Sequence, residues 1–145
     1  MTSAQGSPAN LQNLVAVFLP FDPDQVDSAF DAFDEIDVIA ASLGSFSVAA
    51  LLVLGRLNRH QRQDFCQRIT DLSEGEVQPW MAEAALRSVE GDHDALTGTD
   101  PSLMSGVHLY GLSLLSDGYL SVDECNALRP QALERAAQYR PQLAS

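Results

Sequence analysis

Lysine is absent from this chain. Its 145 residues carry eight bases, all arginine, against twenty acids, for a net charge of −12. Without lysine there is no Schiff-base amine and no phosphate-loop lysine. Nor is there a polybasic patch for a nucleic-acid strand or an anionic lipid surface. The balance speaks against direct nucleic-acid binding and against a membrane partner. Cysteine is nearly absent too. Cys66 and Cys125 are the only two, they stand in no metal-type spacing, and both fall in expected helices. Two buried, reduced thiols are expected, which suits a cytoplasmic protein. The first ten residues lack a basic segment followed by an apolar run, so they do not read as a secretory signal. Long apolar runs are missing as well. The most apolar, Val48 to Leu54, has seven residues, whereas a membrane-spanning helix needs about twenty. A soluble chain is expected. Catalytic signatures are also lacking: no Gly-x-Ser-x-Gly elbow, no phosphate loop and no dinucleotide glycine run. Cys66 has no catalytic partner fixed by spacing. The expectation is no enzyme and no cofactor.

What is present is globular. Hydrophobic residues make up 46% and charged residues 19%, enough apolar side chain for one ordinary core. We expect residues 1–9 to form a flexible arm and residues 10–145 a single domain. Asn10 reads as the cap of a short apolar helix, Leu11 to Leu19, ended by Pro20. Asp22-Pro23-Asp24-Gln25 is a helix start: an Asp cap, proline at the first helical position, and Gln three after the cap. That helix is expected to run to Leu43 and stop at Gly44, with Val26, Ala29, Phe30, Phe33, Ile36 and Ala40 inward. Ser45 or Ser47 would cap the next, almost wholly apolar helix, Phe46 to Leu54. Gly55 closes it and Asn58 opens another to Leu72. Ser73-Glu74-Gly75-Glu76 reads as a capping box, followed by a helix from Pro79 to Glu90 with Trp80 on its buried side. Asp100-Pro101 repeats the Asp-Pro start. The helix it opens, to Ser116, contains Gly106 and Gly111, small residues that permit a close crossing. A helix to Leu128, a break at Pro130 and a last helix from Gln131 to Tyr139 complete the chain. No strand pair is evident. The fold class is all-α, a compact bundle of about seven short helices joined by tight glycine, proline and capping-box turns.

Two turns share a pattern: Gly55-Arg56-Leu57-Asn58, with Gln61 three on, and Gly118-Tyr119-Leu120-Ser121, with Glu124 three on. The second resembles part of an EF-hand loop, with Asp117, Gly118 and Glu124 at ligand, glycine and terminal-acid positions. However, the first and third ligand positions fall on Ser113 and Leu115, which denies an ion two carboxylates. A left-handed Gly118 followed by a Ser121–Glu124 capping box explains every residue. Glu90, Asp92, His93 and Asp94 are the one cluster of metal-type ligands, and they lack the helix-spaced or remote His and Cys partners of a specific site. No metal site is assigned.

Charge supplies the remaining candidates. Asp22, Asp24, Asp27, Asp31, Asp34, Glu35 and Asp37 form a stripe of seven acids, with no base before Arg56. Acids three and four apart share a helix face. Residues 56–69 hold four arginines against one acid, and Arg56, Arg59 and Arg62 share one side of a helix start. We therefore expect partner-binding residues at Asp24, Asp27, Asp31, Asp34, Glu35, Arg56, Arg59 and Arg62. The arginines could neutralise the acidic helix within one molecule or meet that of a second copy in a homo-oligomer. The expected function is a non-enzymatic interaction or assembly protein, a small acidic adaptor of phage or mobile-element type, with another protein, of basic surface, as partner. The alternatives are an acidic mimic of nucleic acid that inhibits a basic enzyme, and a divalent-cation-binding helical protein.

Overall fold

The structure, a computed structural model, describes residues 8–144. Seven α-helices account for most of it: α1 (Pro8–Phe18), α2 (Pro23–Ala32), α3 (Glu35–Leu54), α4 (Arg59–Leu72), α5 (Pro79–Val89), α6 (Pro101–Leu114) and α7 (Val122–Ala144). A five-residue π-helical turn, Leu115–Tyr119, joins α6 to the α7 approach. No strand occurs among the described residues, so the all-α reading holds. The first helix starts at Pro8, earlier than the Asn10 cap anticipated; residues 1–7 of the expected arm lie outside the described residues.

Four of the expected N-terminal caps are in place, at Asp22, Asn58, Asp100 and Ser121. Asp22 accepts from the Asp24 and Gln25 amides, with Pro23 opening α2. Asp100 accepts from the Ser102 amide at 2.8 Å ahead of Pro101. Asn58 and Gln61 exchange both bonds of a capping box, at 2.9 and 2.8 Å. Ser121 and Glu124 do the same at 3.1 and 3.0 Å. Each satisfies amide donors that a helix start leaves open, worth about 1 kcal/mol apiece.

The expected Asp22–Leu43 helix is two helices. Phe33 is extended, and Asp34 starts afresh, accepting from the Ile36 amide at 3.0 Å. A short acid that can cap its own downstream amides competes with helix continuation. The restarted helix, α3, then passes straight through Gly44, Ser45 and Ser47, which are buried in its middle. Gly44 is therefore a close-packing residue and no terminator. A Cβ on it would lie 2.7 Å from both Ala132 O and Ala136 N of α7. Ala40, Ala132 and Ala136 are fully buried alongside. These small side chains bring α3 and α7 into the longest contact of the bundle, and α1 and α6 pack on α3 as well.

Twenty residues long and apolar, α3 has the length and composition to cross a membrane, but 72% of its apolar window is buried inside the bundle. The seven-residue run noted in the sequence understates it, because glycine and serines extend the apolar helix toward Asp34. Here α3 is the core helix. Around it Phe18, Phe46, Phe65, Leu112 and Leu115 are sealed from solvent. Full burial of each is worth about 1.5–3 kcal/mol. Gly111 lets the Phe46 ring approach α6: an added Cβ would meet Phe46 Cε1 at 2.5 Å.

Three further expectations are corrected. Gly118 lies inside the π turn, closed by Leu120 N donating to Leu115 O at 2.9 Å, and is not left-handed. The Ser73–Glu76 segment ends α4: Ser73 caps its C-terminus and accepts from the Val77 amide at 2.9 Å, while Glu74 and Gly75 take positive φ of 54° and 87°. Pro130 does not break α7, which continues to Ala144 with Pro130 and Pro141 inside it. Loss of one backbone bond at Pro130 is outweighed by burial of Leu128, Ala132 and Ala136 against the bundle.

Candidate functional site

The acids of residues 22–37 separate into two groups. Asp22 and Asp34 are helix caps. Asp37 turns inward, 0% exposed, and Arg140 Nε donates to its Oδ1 at 2.9 Å. Among the described residues its Oδ2 has no hydrogen-bond partner. The expected single stripe of seven solvated acids is corrected accordingly. Asp24, Asp27 and Asp31 remain on the exposed side of α2, opposite the buried Val26 and Ala29. Glu35 is exposed in the first turn of α3. Among the described residues no ion pair reaches any of these four carboxylates. Phe30, assigned inward by its spacing, is 43% exposed on the same helix.

The arginines satisfy other acids. Arg62 reaches across to α5 with a double fork. Its Nε and Nη2 donate to Glu83 at 2.9 and 2.7 Å, and its Nη1 and Nη2 donate to Glu90 at 3.0 and 2.7 Å. Hydrogen bonds from Arg62 hold the Glu90 carboxyl below its ordinary range. Arg56 Nη2 donates to Glu124 at 2.5 Å, tying the first capping-box turn to the second. That contact, helped by the Ser121 amide, lowers Glu124 to about 2. Arg68 pairs with Asp64 and Arg87 with Asp92. Arg129 donates to the Leu19 and Ala16 carbonyls at the end of α1, where a cation complements the helix dipole. Arg59 is exposed and, among the described residues, in no ion pair. Thus the structure does not join Arg56, Arg59 and Arg62 to the α2 acids.

A surface that periodicity misplaced lies between α4 and α5. Trp80 is 61% exposed, at the edge of a groove of about 570 Å³ lined also by Arg59, Gln63, Gln67 and Glu83. The signal was Pro79: proline at the first helical position puts Trp80 in the opening turn, beyond the buried stripe.

Chemistry is damped elsewhere. Burial, with Glu83 nearby, pushes the Cys66 thiol up to about 11, so it is a protonated, weak nucleophile at neutral pH. Both cysteines are free and buried. In the acidic loop Glu90 is held by Arg62 and Asp92 by Arg87 at 2.9 Å. No three His, Cys, Asp or Glu groups among the described residues converge to hold an ion. Comparison with known protein families, characterised proteins and solved structures found no match for this chain.

Proposed function

We propose that this chain is a non-enzymatic adaptor that docks a basic protein partner on the outer face of α2, in the cytoplasm. One observation carries the reading: among the described residues Asp24, Asp27 and Asp31 form no ion pair, while five arginines pair with other acids of the same chain. A peripheral helix whose charge is left over after internal pairing creates a field that steers an oppositely charged surface into register. Exposed Phe30 beside these acids adds apolar area that electrostatics alone lacks. A partner that normally binds nucleic acid is one form of this reading, since carboxylates a helical turn apart sit about 5.4 Å from each other.

The experiment is capture from a lysate of the source cells on the immobilised protein, beside a Asp24→Arg, Asp27→Arg, Asp31→Arg variant. The wild type should retain a defined basic protein, released as salt rises and lost by the variant. Retention of the same protein by the variant would overturn the reading.

A further inference from the structure

A second cavity lies between α3, α5, α6 and α7 and holds about 360 Å³. Ligand pockets run from about 300 Å³ upward, and a cavity of about 150 Å³ already holds benzene. None of its ten lining residues carries a charged Asp, Glu, Lys or Arg side chain, although the chain as a whole has 28 such groups. The wall is aliphatic in part, from residues such as Leu43 and Val89, with polar atoms from Ser47, Ser88, His108, Tyr139 and Gln142.

His108 is the informative residue. It is 8% exposed, and its ring rests on Phe46 with centroids 5.0 Å apart. Among the described residues neither ring nitrogen has a hydrogen-bond partner. The neutral imidazole therefore offers one donor and one acceptor to whatever fills the cavity. Across it, Ser47 Oγ and Tyr139 OH lie 3.3 Å apart. Two hydroxyls share one hydrogen bond, which leaves one O–H to donate. Burial lowers His108 to about 4, so the ring is neutral at pH 7. A charged ligand would meet no counter-ion in this wall, so the water it sheds there would go unreplaced by an opposite charge.

We infer that this cavity is a binding site for a neutral, ring-sized, mainly apolar molecule whose hydroxyl or N–H group bonds to His108 and the Ser47–Tyr139 pair. It involves no residue of the α2 face, so this site and the docking reading stand or fall separately.

The probe is 2-naphthol, with naphthalene-2-carboxylate as its charged counterpart, titrated into the full chain by calorimetry and by NMR of the His108 ring. Saturable binding of 2-naphthol that moves the His108 signals is expected, with the carboxylate weaker by about tenfold or more. Ser88→Phe, which fills the cavity and leaves His108 in place, should weaken 2-naphthol to a similar degree, as should His108→Leu. The inference is overturned if 2-naphthol shows no saturable binding up to its solubility limit, if the carboxylate binds equally well, or if the His108 signals do not move. Should either variant fail to fold, the wild-type ring signals and the carboxylate comparison still decide.

Discussion

Gly44 and Gly106 sit in helices of one bundle and should answer an added methyl group in opposite ways. In Gly106→Ala the new Cβ finds its nearest neighbour, a Tyr110 ring carbon, at 3.7 Å. Helix propensity then dominates, and a gain of about 0.5–1 kcal/mol is expected. In Gly44→Ala the Cβ meets backbone of α7 at 2.7 Å, and backbone cannot rotate away. Overpacking should cost about 1–3 kcal/mol or more, read as opposite shifts of the urea midpoint. Asp37 gives a sharper case. Arg140→Met removes the partner of a carboxylate that is 0% exposed, and should cost about 3–5 kcal/mol. Adding Asp37→Leu should restore most of that loss, because the buried charge goes with it. Beside the lowered carboxyls of Glu124, Glu90 and Asp92, His108 contributes to the acid limb. Burial lowers it from the ordinary 6.5 to about 4. Between those values the unfolded chain binds a proton that the folded chain refuses, so stability falls as pH drops through the window. His108→Gln should reduce the stability difference between pH 7 and pH 4.5 by about 2 kcal/mol, measured by urea titration at both.

At the scale of elements, α2 exposes Asp24, Asp27 and Asp31, which form no ion pair among the described residues. Reversing Asp24, Asp27 and Asp31 should leave the helix folded, with a stability change of less than about 0.5 kcal/mol per site, checked by circular dichroism and melting. Helix starts were legible because they are local: Asp22-Pro23, Asn58–Gln61, Asp100-Pro101 and Ser121–Glu124 each carry cap and partner within a few residues. The Asp34 cap that splits α2 from α3 was equally local and was overrun by the apolar period, whereas most of what else sequence hid depended on residues far along the chain. Gly44 reads as a stop signal until Ala132 and Ala136 lie across it. Asp37 reads as one more surface acid until Arg140, 103 residues away, reaches it. Pro130 reads as a break because local propensity takes no account of the core it would have to abandon. The candidate docking acids were legible as a charged stripe. Their lack of internal partners was not, since the pairing of Arg56 and Arg62 with Glu124, Glu83 and Glu90 is tertiary.

For the molecule as a whole, net charge and core placement divide the labour. The apolar α3 is wrapped by its neighbours, and the excess acid is displayed on the outside, where it keeps like molecules apart and draws cations. Among the described residues, pairing between copies through α2 and the arginine cluster would find only Arg59 of Arg56, Arg59 and Arg62 without an internal ion pair. That favours a foreign basic surface as the occupant of α2. The most direct measurement is the amide hydrogen-exchange footprint of the captured partner on this chain. Protection confined to α2 and the first turn of α3, with the Trp80 groove unchanged, is the predicted result. Protection centred on the α4–α5 groove, with α2 exchanging as freely as before, would contradict it.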